Sequence, residues 1–224
     1  VNDVSRSNRL GRRTGVVYLL LIVSGAAGYL TMTSLLAGAN PARLADSATA
    51  FNAAYAASVI AFLVWVVLAL MLHRLIGWAG RSLGLAMIGF TLAGALMNLI
   101  ALSHLWPLVG SPDAGMDRDT LATLVARYDR TLSSAQVFSG LWMFPFGWLV
   151  LRSSVAPRLL GWCLIIGGTA YLFDFLTLLA PGLEDMLAYR IVTTPLALLA
   201  MIGELAMCLW LLIKGARTAQ PAGS

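Results

Sequence analysis

Six apolar runs, each about twenty residues long or longer, take up most of this chain and leave little between them. That length matches a hydrocarbon core about 30 Å thick crossed at about 1.5 Å per residue. Backbone N–H and C=O groups inside lipid must pair within their own segment, so each run is predicted to be a helix. The fold class read from this pattern is all-α, an integral membrane six-helix transmembrane bundle with spans at about 14–37, 50–73, 82–108, 132–152, 159–180 and 189–213. Residues 1–13 form a basic N-terminal segment, 14–215 the transmembrane domain and 216–224 a short tail. With 59% hydrophobic and 11% charged residues, the chain has roughly half the charge of a soluble domain, too little to cover its apolar surface. The stretch Gly15 to Leu36 follows an arginine-rich start, but exceeds the apolar core of a signal peptide, about 7–15 residues, and reads as an uncleaved first span.

Charge placement sets the expected orientation. Ten of the fifteen Lys and Arg residues lie at one end of the predicted spans: Arg6, Arg9, Arg12, Arg13, Arg74, Arg81, Arg152, Arg158, Lys214 and Arg217. Arg43, Arg118, Arg127, Arg130 and Arg190 lie at the other. Basic residues beside span ends favour the cytoplasm, so both termini are predicted to be cytoplasmic, in a bacterial inner (plasma) membrane. Carboxylates are skewed the opposite way, with Asp46, Asp113, Asp117, Asp119, Asp129, Glu184 and Asp185 outside and Asp3 on the basic side. A net charge of +5 and a pI near 9.7 would suggest nucleic acid in a soluble protein. Here the arginines sit in short loops and form no aromatic-interleaved stripe, so the expected partner is the lipid bilayer and no nucleic acid.

Trp78, Trp148, Trp162 and Trp210 near the predicted cytoplasmic interface, with Trp106 near the outer one, read as an aromatic belt. Pro145 and Pro195 mark the expected kinks. After a cap at Asp117 or Asp119, Leu121, Leu124, Val125 and Tyr128 recur at helical spacing, which predicts either a separate amphipathic helix on the outer surface or an extension of span four. Gly84, Gly89, Gly94, Gly140 and Gly147 are candidate helix contacts, within one chain, in a homo-oligomer or against a membrane partner protein. Each odd span opens with an arginine and a glycine three residues on, Arg12 and Gly15, Arg81 and Gly84, Arg158 and Gly161; each even span closes on Arg74, Arg152 or Lys214. Selection for positive loops and small contact residues accounts for this echo without duplication, and a repeated hairpin accounts for it as well.

Several runs resemble a known family: Pro157-Arg158-Leu159-Leu160-Gly161 followed by Tyr171-Leu172 and Asp174; Gly203-Glu204 with Trp210-Leu211-Leu212 and Gly215; and Gly15 with Tyr18-Leu19-Leu20. Over about Arg12 to Gly215 the chain resembles the bacterial multipass membrane family known as domain of unknown function forty-three eighty-six. The resemblance implies a multipass membrane protein without an established activity, and carries no catalytic residues over.

Ionisable side chains at bilayer depth cost about 2.5–3.5 kcal/mol on insertion scales, and therefore mark candidate sites. Glu204 lies mid-way along span six with no basic residue at its depth. A dry setting favours its neutral acid, which suits a proton relay or a hydrogen bond to a neighbouring helix. Asp174 lies in the outer third of span five, with Tyr171 three residues earlier and Arg190 opening the next span; an Asp174–Arg190 ion pair would clasp spans five and six or serve a ligand. Asn52, Tyr55, Asn98, Gln136, Ser139, Thr193 and Thr194 gather in the outer half, and predict either a polar cavity opening outward or interhelical glue.

Cys163 and Cys208 read as small hydrophobes in apolar segments, and His73 and His104 are predicted at opposite faces, so no disulfide, metal site or cofactor is expected. The single lysine, Lys214, sits at a helix end, and no nucleophile stands beside a base, so nothing nominates an enzyme. Three readings fit: a protein that binds or transports a small or lipophilic molecule through the outer cavity, with Glu204 or Asp174 coupling protons; an accessory or assembly subunit of a membrane complex; or a membrane enzyme acting on a lipid or isoprenoid. Expense of the intramembrane carboxylates favours the first.

Overall fold

The computed structural model describes residues 2–110, 116–180, 182–183 and 187–216. Among these the chain is all-helical: α1 (Asn2–Leu36), α2 (Pro41–Asp46), α3 (Ala48–Ile76), α4 (Arg81–Ser103), α5 (Arg118–Leu141), α6 (Met143–Ser153), α7 (Arg158–Leu179) and α8 (Leu187–Lys214), with single 3-10 turns at Gly77–Ala79 and Trp106–Leu108. The predicted basic N-terminal segment continues α1 without a break. Residues 217–224, most of the predicted tail, lie outside the described residues.

Local chemistry explains where the elements begin and bend. Asp117 caps α5: its carboxylate accepts from the Thr120 amide at 2.8 Å and the Thr120 hydroxyl at 2.6 Å. From that cap the helix runs unbroken to Leu141, burying Leu121 and Tyr128 in the outer core. The amphipathic pattern therefore extends span four, and the separate surface helix is not formed. At Trp142 the rod breaks and resumes as α6. Pro145 has no N–H to offer the Leu141 carbonyl, which fits the predicted kink. Pro195 is carried inside α8. The short α2 was not anticipated, although Asn40-Pro41 announces it: the Asn40 side chain accepts from the Arg43 amide at 3.2 Å and Pro41 takes the first helical position.

Six rods, counting α5 with α6 as one, form a closed ring. α1 packs on α3, α3 on α4, α4 on α5 and α6, these on α7, α7 on α8, and α8 returns to α1. Glycines set the seams, because a missing Cβ lets two backbones touch. Gly140 and Gly168 face one another, as do Gly147 and Gly161; a Cβ on Gly147 would lie 2.6 Å from the Gly161 carbonyl oxygen, and one on Gly161 2.9 Å from that of Gly147. The two contacts are seven residues apart on α7 and lie on either side of the Trp142 break on the facing rod, so both α5 and α6 meet one face of α7. Gly167 meets Ala200 across α7 and α8, and Gly28 meets Ser58 across α1 and α3.

Where α1 starts and α8 finishes, the two backbones also meet closely. Gly11 abuts Ala216, Gly15 abuts Leu212, the Cys208 thiol lies 3.6 Å from the Gly15 carbonyl, and the Arg12 guanidinium reaches the Ile213 carbonyl at 3.5 Å. The Arg-Gly echo has a spatial counterpart here. Gly15 packs on the end of α8, Gly84 on His73 at the end of α3, and Gly161 on Gly147 and Leu151 near the end of α6. Each thus seats the start of one hairpin against the end of the preceding one. Gly94 packs on Trp65 and Phe138, whereas Gly89 has nothing within 4 Å.

The outer surface reverses the soluble pattern. Large apolar side chains project from α1 (Val16, Leu20, Val23), α3 (Leu63, Val67), α4 (Leu85, Leu92, Leu96), α7 (Leu159, Ile166) and α8 (Ile191, Ile202, Leu209, Ile213). Patches this continuous on a monomer require an apolar environment. Among the described residues, five helices are long and apolar enough to cross a membrane, Ser7–Leu36, Ala48–Ala79, Arg81–Ser103, Arg118–Ser153 and Tyr189–Lys214, and α7 adds a shorter apolar stretch, Arg158–Phe173.

Candidate functional site

Between the rods lies a half-open cavity of about 710 Å³ to which every rod contributes. Most of its wall is apolar, including Leu21 and Ile22 of α1, Phe62 of α3, Leu132 of α5 and Met201 and Leu205 of α8. Polar atoms come from Tyr18, Ser58, Asn98, Gln136, Ser139, Tyr171 and Glu204. A second cavity of about 850 Å³ adjoins it toward the end of the bundle away from Gly11 and Ala216, between the last turns of α1, the outer half of α5 and Tyr189 of α8. Tyr29, Tyr128, Leu132 and Gln136 line both, so this second cavity is a vestibule that shares a wall with the first. Arg118 and Asp129 bring charge to the vestibule.

Glu204 and an aromatic group define the central chamber. The hydroxyl of Tyr18, a residue only 1% exposed, donates to Glu204 Oε1 at 3.4 Å. Beside it the rings of Trp142 and Phe146 stack with centroids 5.3 Å apart, Trp65 meets Trp142 edge-on at 5.6 Å and 82°, and Tyr18 lies 6.5 Å from Phe146. Trp65 and Trp142 are held by burial, at 6% and 3% exposed, and Gly94 receives the edge of Trp65. Among the described residues that line this chamber, Glu204 is the one acidic side chain and none is basic.

The predicted site residues separate into groups. Glu204, Tyr171, Asn98 and Gln136 converge on the central cavity, with Ser139 beside them. Asn98 uses its amide N–H on the Gly94 carbonyl, 2.8 Å away and one turn back. Asn52 lies elsewhere: its side chain donates to the Gly110 carbonyl at 3.1 Å and accepts from the Gly110 amide at 3.0 Å, clamping the loop after α4 to the start of α3. Tyr55 lies between Phe51 and Trp106, with tilted rings whose centroids are 6.4 and 6.3 Å away. Thr193 bonds back to the Tyr189 carbonyl. Arg190 is exposed, and the Asp174 side chain lies outside the described residues, as does the proposed pair between them.

Sequence reasoning missed the roles of Tyr18, Trp65 and Trp142. Their signal was depth: unlike Trp78, Trp106, Trp148 and Trp162, which are exposed near the ends of the rods, they stand mid-span, where a polar-tipped ring has no interface to reach. His104 Nε2 meets the Thr131 hydroxyl at 3.2 Å, while His73 is wedged between Gly77 and Gly84 with Nδ1 buried and, among the described residues, unpartnered.

A helical ring with a lipid-compatible exterior and a walled interior chamber defines a multipass membrane protein. The family model described as Domain of unknown function (DUF4386) matches residues 13–215, and the chain belongs to that family. No curated protein and no solved structure matches it.

Proposed function

We propose that this is a six-span protein of the bacterial plasma membrane whose central cavity binds a small lipophilic or amphipathic molecule entering through the outer vestibule. One observation carries the reading: a chamber walled by all six rods, mostly apolar, with a few convergent polar groups and Glu204 among them. Its volume lies within the range of about 300–1,000 Å³ usual for ligand pockets. A carboxyl kept at mid-bilayer is expensive in a passive scaffold. α7, with 22 residues, is about 33 Å long at about 1.5 Å per residue and supplies the sixth crossing. The arginine-rich end, where α1 meets α8, lies in the cytoplasm.

Two experiments test this. A neutral lipophilic fluorophore, N-phenyl-1-naphthylamine, should bind the purified protein saturably and raise its melting temperature, and Ala26→Trp or Ser139→Trp, which fill the cavity, should abolish both effects. Equal binding by the filled variants would rule out the cavity as the site. For orientation, cysteines placed at Ser154 and at Ala37, in a chain with Cys163 and Cys208 replaced by alanine, should be labelled by an impermeant maleimide in intact cells at position 37 alone; labelling at 154 would invert the topology.

A further inference from the structure

We infer that the central cavity is built for a lipophilic organic cation, with Glu204 as counter-charge and the Trp65, Trp142 and Tyr18 rings as its walls; this rests on the binding role proposed above and names the ligand class. The argument starts from an imbalance. Glu204 faces a chamber in which, among the described lining residues, no basic side chain stands opposite it, and its hydrogen-bond partner among the described residues is the Tyr18 hydroxyl, 3.4 Å away. A mostly apolar wall disfavours the charged form of the half-buried Glu204 on its own, and a cation brought in by a ligand offsets that cost.

The walls select which cation. Ammonium or phosphonium groups lie favourably on the faces of Trp and Tyr, more so when water is excluded. Trp65 and Trp142 stand almost perpendicular at 5.6 Å, forming a corner. Phe146 covers one face of Trp142, and Gly94 takes the edge of Trp65, so the corner is set before a ligand arrives. Around it Leu21, Ile22, Leu132 and Leu205 offer contact to hydrocarbon or aryl groups carried on the charge. A small hydrated cation gains nothing from those side chains; a lipophilic one uses both halves of the site.

Tetraphenylphosphonium, with triphenylphosphine oxide as neutral probe and tetraphenylborate as anion of matching shape, provides the test, by equilibrium binding to the full-length protein in nanodiscs of zwitterionic lipid. The cation should bind saturably, the neutral probe more weakly, and the anion not at all. Glu204→Gln should weaken the cation by about tenfold or more relative to the neutral probe, and Glu204→Asp should keep the preference for the cation. A parent-like gel-filtration profile and melting temperature of the ligand-free Glu204→Gln protein serve as the folding control. Equal affinity for cation and neutral probe, or a cation affinity unaffected by Glu204→Gln, overturns the cation site but leaves the binding role standing. Saturable binding of none of the three overturns both.

Discussion

The two ends of the bundle use the same six rods differently. At the end where α1 meets α8, contact is backbone on backbone: Gly11 on Ala216 and Gly15 on Leu212 between α1 and the end of α8, and Gly147 on Gly161 between α6 and α7. The loop between α6 and α7 tucks in there too, with Val155 and Ala156 buried and the Val155 carbonyl accepting from the Trp210 indole at 3.0 Å. At the other end, among the described residues, no comparable glycine seam joins α1, α5 and α8, and the vestibule opens between them. Small residues at one end draw the rods together, and side-chain volume at the other keeps them apart. Closed and open ends thus follow from where the chain places its glycines.

The largest expected effect comes from breaking the closed end. Gly147→Leu forces a side chain into the Gly161 carbonyl and should cost about 3 kcal/mol, read as a lower melting temperature in detergent, whereas Gly89→Leu, on a face with nothing within 4 Å, should stay within about 0.5 kcal/mol of the parent. Equal melting temperatures for the two would remove the contrast between seam and surface glycines. Next, Asn52→Ala deletes both bonds to Gly110 and should cost about 1–2 kcal/mol, with faster trypsin cleavage at Arg118. An unchanged cleavage rate would mean that the clamp does not hold the open end.

Smaller changes sharpen the comparison. Tyr18→Phe removes the hydroxyl bonded to Glu204 and should lower stability by only about 0.6 kcal/mol, the average for membrane hydrogen bonds; a loss several times larger would make the pair structural. Last comes the Asp117 cap. Bonds from the Thr120 hydroxyl and then its amide hold the Asp117 carboxyl below the usual Asp range. A carboxyl lowered in the folded state contributes fully above its unfolded value of about 3.9, and the contribution disappears as pH falls through the lower folded value. Hydrogen exchange in the first turn of α5 should therefore accelerate only below about pH 4, with the closed end unaffected. Acceleration by pH 6 would contradict the cap.

Span positions were legible because bilayer thickness dictates run length, and the predicted ends near 50, 82, 159 and 213 lie within a few residues of α3, α4, α7 and α8. Glu204 was legible because a charge stands out in an apolar run. Trp65 and Trp142 were legible only as mid-span aromatics and not as chamber walls, since a ring among leucines looks alike whether it faces lipid or chamber. Both faces of these rods are apolar, so periodicity cannot say which side is inside. Asn52 misled for a related reason: its depth was readable, but its attachment to Gly110, fifty-eight residues on, depends on how the loop folds back.

Because α8 comes home to α1, the ring has no spatially privileged first member. A short tether from Ala216 to Asn8, with a new break in the Ser154–Pro157 turn, would present the same neighbours in rotated order, and the three hairpins would still interlock. Such a permutant offers a route to placing a reporter or fusion partner at the junction of α6 and α7 while the chamber keeps its walls.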